Sequence, residues 1–536
     1  MKILILSTFF LYSLNLLSQN PPILWQKTIG GNFDDELTRI IDVTGGGYFF
    51  IGSSSSNISG DKSENSRGFD DIWIVKTDVN YNIIWDKTIG GDNVDRMYDA
   101  LIINDVIFII TKSNSNLSGE KAMNSFGGSD LWLIACDLSG TILWQEQYGG
   151  TDLEDLGKLM ELENGNILVS CLSRSGISGN KTESALGGSD IWLLEINPLN
   201  GNILQQKTIG SLNSETYAKC ILTSQGTIVI KGGAKEGISG HKTDMGYGEE
   251  DIWIVEIDQN FNVLRDKCFG GDYIEIGQNG NILMDGDNYY ILGASSSEPS
   301  GNKTAVHFGA FGNMDYWVIK TDMDFNILWD KSYGGADDEY PNRIFKNEWN
   351  KLVIGGGSYS MPGFGNKTSP LYGSLDFWLL ILNEDGNIVA QETYGGNGFD
   401  AGIAQNQVNS SSNLFLSSYS ESGISGNKAL PSKGGADCWF MELDASAFLN
   451  SNEIMGSDTK LSVYPNPFID YANFRFTELS ENITIRFYSL SGELLDEHFI
   501  SNGTQNFVWG NQFNNELVFY EIIGANINYR GKLVRI

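Results

Sequence analysis

The chain has 536 residues and a formal charge of −32, from 67 acidic and 35 basic residues. This balance excludes non-specific binding to nucleic acid or anionic membranes, because such binding needs a surplus of Lys and Arg to displace counterions. The length exceeds one ordinary core, and 12% aromatic residues with 63 glycines favour short strands and tight turns over helices. We therefore expect an all-β chain with a large repetitive domain and a smaller one.

The N-terminus has the pattern of a secretory signal peptide. Lys2 precedes a mainly apolar run from Ile3 to Leu17, which ends at the small residue Ser18. A run of this length is too short to cross a bilayer as a helix. We predict a signal peptide over residues 1–18 and no transmembrane span further along the chain.

An Asp-x-Trp signature recurs seven times, with successive tryptophans 59 to 64 residues apart. Each signature opens an apolar strand, which passes through a turn rich in Asn, Asp and Gly into a second strand. Two shorter strands follow, so each repeat predicts four strands. The signature residues, which we assign as structural repeat positions, are Asp71, Trp73, Asp130, Trp132, Asp190, Trp192, Asp251, Trp253, Asp315, Trp317, Asp376, Trp378, Asp437 and Trp439.

Seven four-stranded repeats predict a seven-bladed β-propeller over residues 19–447. The chain starts with an isolated second-type strand, Ile23–Gly31, and the last repeat lacks that strand after Asp444. Pairing of the N-terminal strand with Cys438–Asp444 would complete the last hairpin and close the ring. The repeats resemble those of bacterial seven-bladed propellers that alternate W-x-x-x-x-GG, G-x-S-x-S and D-x-W strands.

The loop before each signature carries a second repeated element, SG-x-K. Its lysine precedes the signature Asp by nine residues in six repeats and by twelve in the fifth. This spacing favours one charge pair or capping contact per blade over seven equivalent weak ligand sites. The lysines are Lys62, Lys121, Lys181, Lys242, Lys303, Lys428 and, in a degraded copy, Lys367.

Acidic residues follow the Gly-Gly turns at a regular distance. They offer oxygen ligands for Ca²⁺, the one cofactor that the sequence suggests, but their regularity favours an architectural role. The loop Asp322–Asn326 also lacks the Gly and Glu of a calcium loop. The acids four residues past the turn are Asp35, Asp95, Glu154, Glu275, Glu339 and Asp400, with Ser214 as the exception.

Two further residue sets favour packing over chemistry. The second-type strand carries a tryptophan in four repeats, and Gln205, Arg265 and Ala390 replace it in the other three. We predict that these tryptophans are partly buried between blades, and stacking on sugar rings is the alternative. Those tryptophans are Trp25, Trp85, Trp144 and Trp329. Five cysteines are scattered along the chain without CxxC spacing. This pattern indicates buried core residues and argues against a disulfide framework or a zinc site. The cysteines are Cys136, Cys171, Cys220, Cys268 and Cys438.

The sequence supports no catalytic residue, since its three histidines form no Ser-His-Asp or metal-binding pattern. The leading hypothesis is a non-enzymatic binding protein for an extracellular glycan or protein, as in adhesion or nutrient capture. The alternative is a polysaccharide-acting or quinoprotein-like enzyme with its site in the propeller funnel. Residues that break the sevenfold pattern would then be candidates: Arg96, His241, His307 and Trp349.

The repeat ends after Asp444, and small polar residues predict a linker at 448–459. Residues 460–536 alternate like a small immunoglobulin-like β-sandwich. They carry a Y-P-N-P motif, an S-G-E turn and a terminal GKLVRI, which resemble the type A sorting domain of the type IX secretion system of Bacteroidota. The matched positions are Tyr464, Pro465, Asn466, Pro467, Gly492, Lys532, Leu533 and Val534.

This resemblance implies export in two steps. The signal peptide would lead to the periplasm, and the type IX secretion machinery would then recognise the sorting domain and usually remove it. The mature propeller would be secreted or attached to the outer-membrane cell surface. An additional immunoglobulin-like module without a role in sorting is the alternative.

Overall fold

The computed structural model divides the chain into two compact units, one of Asn20–Asp444 and one that includes Ala445–Ile536. The described residues form strands and turns only, and they cover 22–43, 45–277, 280–347, 350–404, 414–444, 461–464, 471–476, 482–489, 494–504, 506–510, 517–524 and 528–534. Within these ranges no helix has the length and apolar character needed to cross a membrane.

The first unit consists of seven antiparallel sheets, each with four strands in simple up-and-down order, except that the first strand of blade 5 is split in two. The strands, from the first of each blade to the last, are as follows: blade 1, Asp35–Asp42, Tyr48–Ser54, Asp71–Thr77 and Ile83–Ile89; blade 2, Asp95–Ile103, Val106–Ser113, Asp130–Asp137 and Ile142–Tyr148; blade 3, Glu154–Glu161, Ile167–Ser173, Asp190–Ile196 and Ile203–Ile209; blade 4, Glu215–Leu222, Ile228–Ala234, Asp251–Ile257 and Val263–Phe269; blade 5, Glu275–Ile276 with Ile282–Asp285, Asn288–Ser295, Asp315–Asp322 and Ile327–Tyr333; blade 6, Glu339–Lys346, Leu352–Ser358, Asp376–Leu382 and Ile388–Tyr394; blade 7, Asp400–Ala404, Leu414–Ser420, Asp437–Leu443 and Ile23–Ile29.

The hydrophobic core lies between adjacent blades. The third strand of each blade is apolar on both faces because each face packs against a neighbouring sheet, and all seven signature tryptophans are fully buried. One cluster joins Tyr48 and Trp73 of blade 1 to Phe415 and Phe440 of blade 7, so the first and last blades are in contact. The unit is therefore a closed seven-bladed β-propeller.

The N-terminal strand closes the ring, as predicted. Ile23–Ile29 runs antiparallel to the last signature strand, with Ile29 opposite Cys438. The indole nitrogen of Trp439 donates a hydrogen bond of 3.1 Å to Oε1 of Gln26. The same bond occurs within the other blades, where the acceptor is an Asp or Gln of the next strand along the chain.

The signature Asp caps the loop that precedes it. In blade 3, for example, Oδ2 of Asp190 accepts hydrogen bonds from the backbone N–H groups of Leu186 and Gly187, at 2.6 and 3.2 Å. Equivalent bonds occur in the other six blades. The capping contact predicted from the repeat is confirmed.

The SG-x-K lysine is buried beside the signature tryptophan. In five blades its Nζ lies 4.9–5.7 Å from the centre of that indole ring. It also donates to loop carbonyls, as Lys303 does to Ser297 and Ala305 at 2.6 and 2.9 Å. Among the described residues no direct ion pair joins this lysine to the signature Asp, but the two charges attract each other across the loop in six blades.

The acid after the Gly-Gly turn is present in all seven blades, which corrects the sequence prediction. Blade 4 has Gly-Ser instead of Gly-Gly, so Glu215, and not Ser214, occupies the position. Oε2 of Glu215 accepts the backbone N–H of Ser211 at 3.1 Å. The six other acids accept the backbone N–H of the turn glycine in the same way, at 2.6–2.9 Å.

The strand tryptophans and the cysteines pack against other side chains, as expected. The strand tryptophans are half-buried and contact nearby aromatic rings. Trp25, for example, stacks on Tyr81 in the hairpin turn of blade 1, at 4.3 Å between ring centres. Four cysteines are buried and Cys220 is half-buried, and none forms a disulfide. In the loop beginning at Asp322, its Oδ1 accepts the N–H groups of Asp324 and Asn326, both at 2.9 Å, so this loop is a capped hairpin turn.

The second unit is a small β-sandwich. One sheet contains Leu461–Tyr464, Tyr471–Phe476 and Asn506–Gly510, and the other contains Ile483–Tyr488, Leu494–Ile500, Leu517–Ile523 and Asn528–Val534. Side chains of both sheets form one core, in which Trp509 stacks on Phe487 at 4.1 Å between ring centres.

The predicted sorting motif is only partly covered by the described residues. Tyr464 ends the first strand of the sandwich, and Lys532, Leu533 and Val534 lie in the last strand. Pro465, Asn466, Pro467 and Gly492 lie outside the described residues, as do the predicted signal peptide, the linker 448–459 and Trp349.

Candidate functional site

β-Bulges place one residue of each affected first strand at the propeller axis. The acid that follows each Gly-Gly turn, or the Gly-Ser turn of blade 4, is called the turn acid. In blades 1, 2, 3, 4 and 6 the pairing of the first strand with the second shifts register. The shift lies just before the residue four positions after the turn acid. A bulge bends a strand and redirects the following side chain. The redirected residues are Arg39, Asp99, Lys158, Lys219 and Arg343.

These strands enclose a cavity of about 140 Å³, which we call the axial pocket. A cavity lined by the first strands of blades on opposite sides of the ring must lie on its axis. The lining residues are Thr38, Arg39, Tyr98, Lys158, Tyr217, Lys219, Gly280, Pro341, Asn342 and Arg343.

The axial pocket is strongly basic, although the chain as a whole is acidic. Four cations line it, and Asp99 is the acid in contact with them. Asp99 forms an ion pair with Arg39, and its Oδ2 accepts the backbone N–H of Leu159 at 3.2 Å. Nζ of Lys158 donates to the carbonyl of Tyr98 at 2.9 Å.

Burial and like charge both act on the protonation of this cluster. Burial lowers the pKa of Lys219 well below its usual value, and the nearby cations Arg343, Lys158 and Arg39 lower it further. Burial, followed by Arg39, lowers the pKa of the Arg343 guanidinium to about 10. Burial alone would raise the pKa of Asp99, but Arg39 and Lys158 hold it below the usual value. The pocket therefore favours negative charge.

A second cavity, of about 370 Å³, adjoins the axial pocket and is called the side pocket here. The two cavities share Thr38 and Asn342. The side pocket lies between blades 7 and 1 and reaches Arg96 of blade 2, which forms an ion pair with Glu36 and lies 3.6 Å from Asp70.

Of the three described residues that break the repeat, Arg96, His241 and His307, only Arg96 lies at these cavities. Nδ1 of His241 accepts the backbone N–H of Gly210 at 3.4 Å, which is the capping bond that an Asn makes in other blades, as Asn302 does. Nδ1 of His307 lies 2.9 Å from Oδ2 of the signature residue Asp315, inside the longer fifth loop. Both histidines therefore have architectural contacts.

The described residues contain no group of three or more His, Cys, Asp or Glu side chains placed to hold a metal ion. The acids after the Gly-Gly turns use their oxygens to accept N–H and hydroxyl groups, as Glu154 does from Gly150 and Ser173 at 2.9 and 2.6 Å.

Sequence reasoning missed the axial residues. Arg39, Lys158, Lys219 and Arg343 occupy one position of the repeat, but more than 50 residues separate any two consecutive members of the set. Counting four residues past each turn acid would have revealed a basic residue in four of the seven repeats. The bulges that turn these residues to the axis have no separate sequence signal.

Comparison with known proteins identifies the second unit. Residues 462–534 match the family described as secretion system C-terminal sorting domain. No curated protein shows significant sequence similarity to this chain.

Three solved structures illustrate how distant the structural similarities are. BBS1N in complex with ARL6DN is 8% identical with a TM-score of 0.41, and the match covers 78% of this chain and 96% of that one. Hydrazine synthase of Kuenenia stuttgartiensis is 10% identical with a TM-score of 0.39, covering 73% and 95%. A thermostable family-43 glycoside hydrolase is 13% identical with a TM-score of 0.30, covering 58% and 95%. These values carry no argument about activity.

The sorting domain determines where the protein acts. Its recognition by the type IX secretion machinery places the chain outside the cell or at the cell surface. The protein is an exported seven-bladed β-propeller that carries a C-terminal sorting domain of the type IX secretion system.

Proposed function

We propose that this propeller is a non-enzymatic binding protein that holds one extracellular glycan or protein ligand at the axial and side pockets. We also infer a host among the Bacteroidota, because the sorting domain resembles the one used by that group. The capping and packing contacts of the blades repeat around the ring, whereas the residues lining the axis differ from blade to blade. This contrast supports a single composite site over seven equivalent weak ones.

The chemistry of the two pockets suits binding. Arg, Lys, Asn and Thr side chains offer hydrogen bonds, and Tyr98 and Tyr217 add aromatic rings at the wall. The enzyme alternative depended on residues that break the repeat, and His241 and His307 have contacts that account for their presence. The binding hypothesis is therefore the one that we carry forward.

Binding of the full chain to glycan and extracellular protein arrays tests this proposal. Asn342 is exposed and lines both pockets. We expect Asn342→Ala to weaken binding of the array ligand about threefold to tenfold, because one hydrogen bond is lost. The control Asn80→Ala changes an exposed Asn in a hairpin turn of blade 1 and should leave binding unchanged.

Absence of any array ligand, or equal loss of binding in both variants, would contradict the proposal. Turnover of a polysaccharide by the wild-type chain would instead favour the enzyme alternative.

A further inference from the structure

We propose that the axial pocket is an oxyanion site that takes one carboxylate, sulfate or phosphate group through Arg39, Lys158, Lys219 and Arg343. This inference deepens the proposed function by naming the charge and the chemical class of the group bound at the axis.

Positive charge exceeds negative charge inside the axial pocket. Four basic side chains face one another there, and the acid that pairs with them among the described residues, Asp99, already has both oxygens occupied. Its Oδ1 accepts from Arg39 and from the backbone N–H of Ala100, and its Oδ2 accepts from the backbone N–H of Leu159. Like charges gathered in a partly desolvated space repel one another, and a bound anion relieves that repulsion.

Lys219 differs from the other lysine of the pocket in its contacts. This side chain lines the pocket, and no residue in the described ranges forms a hydrogen bond or ion pair with its ammonium group. The comparable lysine of blade 3, Lys158, donates to a backbone carbonyl. An ammonium placed among other cations without a partner has donors available for a ligand.

The axial pocket has the size of one small anionic group. A volume of about 140 Å³ holds roughly five waters at about 30 Å³ each. The axial pocket therefore admits one acidic group and not a polymer chain. The larger side pocket, which shares Thr38 and Asn342, has room for the rest of the ligand.

The nature of the donors fits an oxyanion. Guanidinium groups bind carboxylate, sulfate and phosphate through paired N–H donors, and ammonium groups add point charges. The rings of Tyr98 and Tyr217 stand beside these donors. The wall thus combines aromatic and cationic groups, as an acidic sugar requires.

Calorimetric titration of the purified full chain at constant ionic strength tests the inference. The probes are sulfate, phosphate, glucuronate and glucose 6-sulfate, with glucose as the uncharged control. We expect one binding site per chain for an anionic probe. Lys219→Met should weaken that binding about tenfold or more, because one charged hydrogen bond is lost. Lys219→Arg, which keeps the cation, should restore most of the affinity.

The matched control is Lys207→Met. It removes one positive charge from the last strand of blade 3, where Lys207 contacts Glu183 at 3.2 Å, and should leave anion binding unchanged. Thermal unfolding of each variant checks folding, and Lys158→Met provides the same test if Lys219→Met does not fold. Failure of every anionic probe to bind, or equal weakening by Lys207→Met and Lys219→Met, would overturn the inference.

The probes also identify the source of the group. Tighter binding of glucuronate or glucose 6-sulfate assigns the site to an acidic glycan, whereas tighter binding of sulfate or phosphate assigns it to a free ion. Either result supports an oxyanion site. If the arrays yield no ligand while an anion binds in a Lys219-dependent manner, the proposed function fails and this inference stands. If an array ligand binds and Lys219→Met leaves that binding unaffected, the proposed function stands and this inference fails.

Discussion

The first glycine of each Gly-Gly turn is required by the neighbouring blade as much as by the turn. A Cβ added at Gly149 would lie 1.9 Å from Oδ1 of Asp130 and 2.6 Å from Oε2 of Glu154. Two carboxyl groups of adjacent blades thus meet at the space where a side chain would begin. The sequence indicated a turn at this position, but the reason for glycine is a contact between blades.

Replacing this glycine should therefore destabilise the propeller. We expect Gly149→Ala to lower the free energy of unfolding by about 2–4 kcal/mol, because the methyl group displaces a buried, hydrogen-bonded carboxyl. The control Gly176→Ala places a methyl where no atom lies within 4 Å and should cost less than about 0.5 kcal/mol. Urea unfolding measures both, and similar values for the two variants would contradict the explanation.

At the scale of the strand, the closing hairpin reproduces the contacts of a continuous blade. Oε1 of Gln26 accepts hydrogen bonds from Nε1 of Trp439 and from the backbone N–H of Ala429, at 3.1 and 2.7 Å. Oε1 of Gln145 makes the same pair of bonds within blade 2. The seventh blade therefore depends on a strand from the other end of the chain.

Equal contacts predict equal effects on stability. We expect Gln26→Ala and Gln145→Ala each to lower the free energy of unfolding by about 1–3 kcal/mol, because each leaves a buried indole N–H without an acceptor. Chemical denaturation of the full chain compares the two. If only Gln145→Ala destabilises the propeller, the N-terminal strand does not close the ring in solution.

At the scale of the whole molecule, a ring of buried charge runs around the propeller. In blades 1, 2, 3, 5, 6 and 7 the SG-x-K lysine interacts electrostatically with its own turn acid and signature Asp. In every blade that Asp also interacts with the turn acid of the next blade. All of these residues are at most 2% exposed. Burial, with the neighbouring carboxyl, raises the pKa of Asp130 to about 7 and that of Glu215 to about 8.

This ring predicts a minimum of stability at about pH 8. The carboxyl groups of the unfolded chain lose their protons at about pH 4, whereas folded Asp130 and Glu215 keep theirs up to about pH 7 and 8. The free energy of unfolding therefore falls between about pH 4 and 8. Burial lowers the pKa of Lys62 and Lys121 to about 8, so stability rises again between about pH 8 and 10.5 as the unfolded lysines hold more protons.

Urea unfolding at about pH 5, 8 and 10 measures this profile. Glu215→Gln should flatten the fall between about pH 5 and 8, because its amide cannot ionise. The exposed Glu236 is a suitable control position, and Glu236→Gln should leave the profile unchanged. Stability that rises steadily from about pH 5 to 8 would show that the carboxyl pairs do not hold their protons.

The sequence by itself determined the all-β class, the seven blades, the closing strand and the sorting domain. These features depend on local strand and turn patterns that recur about every 60 residues. The tertiary structure alone decided the contacts between blades. The carboxyl pairs and the basic axial pocket bring together residues from different repeats, and the bulges that direct Arg39 and Lys219 inward have no clear local signature. Sequence patterns indicate the hydrogen bonding within one blade, because its strands follow one another along the chain. The basic residues at the axis come together only when the ring closes.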